Sequence, residues 1–179
     1  MGVVVGPAVV ALAVVVPAVA LTGSISAGHW TALGSMPTLL VSWSSLRGGP
    51  LGEEAGWRGF ALPRLQRHFG ARLGAVAVGI LWACWHLPLF LVGGFTSSPF
   101  WMFLVMLMAL SVIMAAVARL SLGSALAAIA THSAFNSASR VLNHLLDWVV
   151  TRDWPSAEWI IMLSLVATAV VVMPLVKES

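Results

Sequence analysis

The sequence predicts an all-α fold, a polytopic transmembrane bundle of about five or six membrane helices in one domain-sized unit. Two observations carry this. Of 179 residues, 60% are hydrophobic and only 8% charged, and the mean hydropathy is +0.98, a balance that soluble domains of this size do not show. The apolar runs are also long and lack the ten-residue alternation of a barrel strand, so the backbone must be satisfied within helices. A third observation concerns function: ionisable residues interrupt these runs at a few positions, and ionisable groups within a bilayer mark functional sites by default.

Val3 to Leu21 is a continuous Val- and Ala-rich stretch, long enough to span although it contains Pro7 and Pro17. It lacks the basic start and polar exit of a signal peptide, and its abrupt apolar beginning predicts further residues upstream. Gly23 to Gly34 reads as a connection, and Met36 to Leu46 as a short apolar segment, marginal as a span. Arg47-Gly48-Gly49-Pro50-Leu51-Gly52 is expected to break any helix. Helix is expected again from Glu53 to about His68, bent at Pro63, then a turn over Phe69 to Arg72 and a spanning helix from Leu73 to Val92 with Pro88 near its end. Phe100 to Ala118, Gly123 to Ser139 and Ala157 to Val176 complete the set. The small residues of Gly123 to Ser139 suit close packing at the centre of the bundle.

The net charge of +3 reflects few acids rather than a basic tract, which excludes a nucleic-acid surface as the main partner and leaves the lipid bilayer. The single cysteine, Cys84, lies between two tryptophans and is read as a packing residue. Arg64, Arg67, Arg72, Arg119 and Lys177 fall on one face if each span changes side. Arg140 and Arg152 fall on the other, with Asp147 and Asp153 and the interface anchors Trp148, Trp154 and Trp159. The positive-inside rule then places the C-terminus and the Phe69 turn of a multi-pass cell-membrane protein in the cytoplasm.

The candidate site residues are Glu53, Glu54, Arg58, His86, His132 and Asn136. A charged Asp, Lys or Arg at a helix centre costs roughly 2.5 to 3.5 kcal/mol on insertion scales, so something must offset each such charge. In a hairpin turning near Gly70, Glu54 and His86 each stand about 24 Å along their helices from the turn, and are level. His132 lies about 14 Å in from Gly123, with Asn136 one turn further, so modest tilt brings that pair towards the same layer.

Each of these residues has a structural reading beside the functional one. Acids favour the first turn of a helix, where they complement its dipole. Glu54 and Arg58, spaced i,i+4 with the acid first, make a favourable ion pair. Glu53 points about 100° away around the helix and is the better candidate for chemistry. His86 reads equally as a histidine satisfied by a carbonyl near Pro88, and His132 with Asn136 as interhelical polar glue. Together these residues supply the parts for peptide hydrolysis: a carboxylate to take a proton from water, two imidazoles to hold the water or a metal, and an amide to donate to an oxyanion. Two histidines and a carboxylate also suit catalytic zinc, and His86, His132 and Glu53 are the candidate ligands, with a metal-free mechanism equally open. The helical His-Glu-x-x-His of soluble zinc proteases is not present.

Glu53-Glu54-Ala-Gly-Trp-Arg58, Trp82-Ala-Cys-Trp-His86 and His132-Ser-Ala-Phe-Asn136 fit, in order, the EExxxR, aromatic-xxx-His and HxxxN motifs. Over about Pro37 to Arg140 the chain resembles the CPBP family, the CAAX protease and bacteriocin-processing intramembrane metalloproteases, which include type II CAAX prenyl endopeptidases. The resemblance implies that Glu53 activates water with His86, that His132 completes the polar or metal centre, and that Asn136 stabilises the oxyanion while Glu54 and Arg58 support the site. It divides the single membrane domain into an N-terminal helix and connection (1–36), a catalytic core (37–142) and a C-terminal loop and helix (143–179). Family members carry more helices ahead of the first motif than the one clear helix here. The implied substrate is a membrane protein or peptide, prenylated in the eukaryotic members, whereas bacterial relatives act in bacteriocin maturation or immunity. Two other classes compete: a non-catalytic immunity or scaffold protein, and a proton- or ion-coupled transporter, for which no inverted repeat is evident.

Overall fold

The computed structural model describes residues 49–93, 98–149 and 157–177. All regular structure within them is helical, as expected: α1 (Pro50–Gly56), a π turn (Trp57–Ala61), α2 (Leu62–Phe69), α3 (Ala71–Trp85), α4 (Leu87–Val92), α5 (Phe100–Leu120), α6 (Ala125–Val149), α7 (Ala157–Val172) and a closing 3₁₀ turn (Met173–Leu175). The expected segments at Val3 to Leu21 and Met36 to Leu46, and Arg47, lie outside the described residues.

The first helix begins three residues earlier than the sequence suggests. Pro50, Leu51 and Gly52 are helical rather than a break, because Pro50 takes the first-turn position, where its missing N–H and fixed φ cost nothing. α1, the π turn and α2 run on without interruption past Pro63. The N–H of Leu62 bonds to the carbonyl of Trp57, five residues back, and this wider turn comes just before Pro63 withdraws its own donor. The helix ends at Gly70, whose φ of 79° a side chain would resist. That single residue is the whole turn into α3, tighter than the Phe69 to Arg72 connection expected.

α2 and α3 then form a close hairpin. A Cβ on Gly74 would lie 2.5 Å from the backbone nitrogen of Gln66, and the Gln66 amide donates to the Ala71 carbonyl at 3.0 Å. On its other side α3 packs antiparallel against α5, where the Ser111 hydroxyl donates to the Ala75 carbonyl at 2.8 Å. A Cβ on Gly79 would come within 2.5 Å of the Met108 Cα. The most buried helix is α5, whose Leu110, Ser111 and Met114 are fully enclosed. It takes the centre that the small residues of α6 were expected to occupy, although α6 also turns Ala127, Ala128, Thr131, Ser133 and Ser137 inward.

Three helical segments are long and apolar enough to cross a membrane among the described residues: Ala71–Val92, Phe100–Leu120 and Glu158–Leu175. Their outer faces expose Leu73, Leu91, Val92 and Val171 at 67% to 81%, a continuous apolar surface that water would not tolerate and lipid would. The two ends differ in character. Trp101 and Trp159, both exposed, meet at one end with ring centroids 5.6 Å apart, as interface anchors do. At the other end the Arg119 guanidinium donates to the Lys177 carbonyl at 3.0 Å, and Arg72 and Lys177 line one cavity. Of the basic residues expected on one face, Arg72, Arg119 and Lys177 therefore share it.

The Gly79 contact sets the approach of α3 and α5. Gly79→Ala is expected to lower stability by about 1–3 kcal/mol, by forcing backbone apart. Gly56→Ala, whose added Cβ meets nothing within 4 Å, is expected to be neutral or stabilising. Thermal unfolding of both variants in detergent checks the pair.

Candidate active site

Adjacent acids on a helix face different neighbours, and here that separates their partners. Glu53 turns towards α3, where the Trp82 indole N–H donates to its Oε2 at 2.7 Å. Glu54 turns towards α6 and is 2% exposed. Its Oε1 accepts from Nη1 of Arg58 at 3.0 Å and from Nδ1 of His132 at 2.7 Å. The expected i,i+4 pair of Glu54 and Arg58 is present, and His132 joins it from a helix far away in sequence.

All three members of this cluster are buried. Ionised groups in such a place hold only if they pair and hydrogen-bond, since the desolvation penalty is several kcal/mol per ion. Among the described residues, Oε2 of Glu54 and Nε and Nη2 of Arg58 are buried without a hydrogen-bond partner. Arg58 gains a further contact from its guanidinium, 4.3 Å from the Trp82 ring centroid, a cation–π geometry. The π turn that carries Arg58 is a common device at functional sites.

The inward stripe of α3 runs through Ala71, Gly74, Ala75, Val78, Gly79, Trp82 and Ala83, and its next position is His86. The helix breaks there. The His86 N–H bonds to the Ala83 carbonyl rather than one residue further back, and Pro88 removes the donor that would continue the ladder. The Trp82 carbonyl is then taken by the His86 ring, with Nδ1 at 2.9 Å. A carbonyl only accepts, so Nδ1 carries the proton and Nε2 is the basic nitrogen. The same logic applies to His132, whose Nδ1 meets a carboxylate. Both imidazoles are thus oriented through Nδ1, an arrangement that suits a base or a metal ligand alike.

Trp82 joins all of these groups. It is 2% exposed, and its ring stands edge-on to His132 at 4.8 Å between centroids. Trp57 and Trp85 extend the aromatic wall, and Trp85 and Phe103 close on His86 at 5.0 and 5.3 Å. The sequence offered Trp82 only as the aromatic of a motif; its position four residues before a histidine was the available signal. Cys84 corrects the packing expectation: it is exposed, because the helical period that turns Trp82 and Ala83 inward turns Cys84 towards lipid.

The structure gathers the expected residues into two adjoining groups: Glu54 meets Arg58 and His132, while Glu53 and His86 meet on Trp82. Asn136 lies half-buried one turn after His132 on α6, and its side chain enters no hydrogen bond among the described residues. No group of three His, Cys, Asp or Glu side chains converges to hold a metal among the described residues. His86, His132 and Glu53 thus match zinc by donor type without forming a three-ligand set.

The fold and this site define a multi-pass helical membrane protein with a buried carboxylate–imidazole centre. Residues 34–138 match the family model for the Rce1-like type II CAAX prenyl endopeptidases. The chain belongs to that family, whose members are proteases. It is similar to CAAX prenyl protease 2 of Methanococcus maripaludis, at 42% identity over 40 residues. That match spans 22% of this chain and 15% of the archaeal protein. No solved structure matches.

Removing one member of the buried ion cluster should cost more than replacing two. Arg58→Met is expected to destabilise by about 3–5 kcal/mol by stranding Glu54, whereas adding Glu54→Leu recovers a large part of that loss. A double-mutant cycle on thermal or denaturant unfolding measures the coupling.

Proposed function

We propose that this protein is an intramembrane endopeptidase that hydrolyses a peptide bond of a membrane-associated protein or peptide, with a prenylated C-terminal segment as the favoured substrate class. The observation that carries this reading is the pair held on Trp82, a carboxylate on its indole N–H and an imidazole on its carbonyl. The family membership and the archaeal relative's name, CAAX prenyl protease 2, support the substrate class.

In the proposed reaction, a water lies between Glu53 and Nε2 of His86. Glu53 takes a proton from that water as its oxygen adds to the scissile carbonyl carbon, forming a tetrahedral oxyanion. The Asn136 side-chain amide donates to the oxyanion. Glu53 then returns the proton to the leaving nitrogen as the C–N bond breaks, giving a carboxylic acid and an amine, which leave as carboxylate and ammonium once the acid's proton passes to the amine. The Trp82 indole hydrogen bond holds Glu53 Oε2, leaving its other oxygen for the water. Glu54 and Arg58 serve position rather than chemistry, fixing His132 and the helix that carries Glu53. Zinc on His86, His132 and Glu53 is the alternative form; it rests on donor types and would supply a polarised water. The basic end of the bundle, with Arg72, Arg119 and Lys177, supports a cytoplasmic C-terminus by the positive-inside rule.

The test is cleavage of matched prenylated and unprenylated peptides by purified full-length protein. His86→Gln is expected to lower kcat/KM by about 10²–10⁴, and Asn136→Ala to lower kcat by about 10²–10³, both with unchanged unfolding temperature. Activity that survives a zinc chelator supports the metal-free route, and reversible loss with zinc rescue overturns it. Absence of cleavage by well-folded protein on every peptide counts against the hydrolase.

A further inference from the structure

A cavity of about 350 Å³ opens at the basic end of the bundle, lined by Phe69, Gly70, Arg72 and Leu73 from the hairpin turn and by Val176 and Lys177 from the end of α7. Nothing in the proposed reaction uses it, since the Trp82 centre lies about 18 Å further along α3 at 1.5 Å per residue. We infer that this cavity binds the phosphate headgroup of an anionic phospholipid.

Depth, charge and apolarity all point to that ligand. The span Ala71–Val92 begins at this turn and the span Glu158–Leu175 ends beside it, so the cavity lies where the hydrocarbon core gives way to headgroups. Its two cations come from separate segments, Arg72 from the start of α3 and Lys177 from just past the closing 3₁₀ turn, and the second is held in place: the Arg119 guanidinium donates to the Lys177 carbonyl at 3.0 Å. The amides of Ala71, Arg72 and Leu73, in the first turn of α3, add donors without intrahelical partners. Among the described residues no acid shares this end. Glu53 and Glu54 sit at the opposite end of their helix, and Glu158 starts α7; Glu178 follows Lys177 in the sequence, outside the described residues. A soluble anion would want polar walls, yet Phe69 and Leu73 are exposed at 49% and 67%. Such a rim suits acyl chains below a phosphate. A cationic pocket between helices at the headgroup level is a recurrent form of anionic-lipid recognition.

The experiment uses full-length protein in nanodiscs of phosphatidylcholine with increasing phosphatidylglycerol, read by lipid retained in native mass spectrometry and by unfolding temperature. Arg72→Gln and Lys177→Gln are each expected to weaken phosphatidylglycerol retention about fivefold, and the double variant about thirtyfold. Arg67→Gln, which removes the same charge from the same end but not from the cavity, is expected to change it less than twofold. Arg72→Lys restores retention, which separates charge from misfolding. Equal losses in Arg67→Gln and Arg72→Gln would reduce the site to diffuse surface charge and overturn the inference. So would wild-type retention by the double variant. Inorganic phosphate added to phosphatidylcholine nanodiscs is expected to give no stabilisation, and stabilisation equal to that from phosphatidylglycerol would overturn the lipid assignment in favour of a soluble anion.

Discussion

The buried carboxylate of Glu54, shared between Arg58 and His132, is the interaction on which the rest of this architecture depends. A charge in a low-dielectric interior must be met by opposite charge and by donors, or the group neutralises or the fold gives way. Glu54 meets that requirement on one oxygen, which accepts from Arg58 of the following π turn at 3.0 Å and from His132 at 2.7 Å, the second bond joining the first described helix to α6. The tie fixes the rotation of α1, and with it the direction of Glu53, one residue earlier and about 100° around the helix. Pairing one acid leaves its neighbour for other work.

Backbone chemistry does the rest of the positioning. The helix break at His86 redirects one N–H, and the Trp82 carbonyl it would have reached holds an imidazole instead. Trp82 then serves through three separate features: an indole N–H for Glu53, a carbonyl for His86, and a ring face for Arg58. Close backbone packing along the same helix supports this geometry, since Gly74 and Gly79 leave no room for a methyl group. α5 runs through the centre as an apolar core against which the polar helices are set.

Much of the fold was legible because long apolar runs in a membrane protein leave the backbone few alternatives. Helices α5 and α7 fall close to their expected bounds, whereas α3 stops at Trp85 short of the expected Val92 and α6 runs to Val149 past the expected Ser139; Arg72, Arg119 and Lys177 sort to one end as their spacing required. The places that were not legible are those where backbone geometry departs from the ideal. Pro50-Leu51-Gly52 reads as a breaker unless the proline sits in a first turn, and a π turn ahead of Pro63 leaves no mark in hydropathy. The site residues could be picked out by charge alone, but not their pairing. Depth along ideal helices puts Glu54, His86 and His132 near one layer, but it does not say that His132 bonds Glu54 and Trp82 bonds Glu53. The reach of a tryptophan side chain, and the hydrogen bond it can donate, lie beyond any count of residues per turn. The metal question is of the same kind, since donor types are visible in sequence and convergence is not.

The central claim is that two neighbouring acids divide the labour, Glu54 holding the site together and Glu53 acting within it. The most direct measurement reads unfolding temperature and peptide cleavage on the same preparations of Glu53→Gln and Glu54→Gln. The account predicts that Glu53→Gln unfolds with the wild type and has lost cleavage, while Glu54→Gln unfolds early. Near wild-type cleavage by Glu53→Gln, or a Glu54→Gln protein as stable as the wild type, would contradict it.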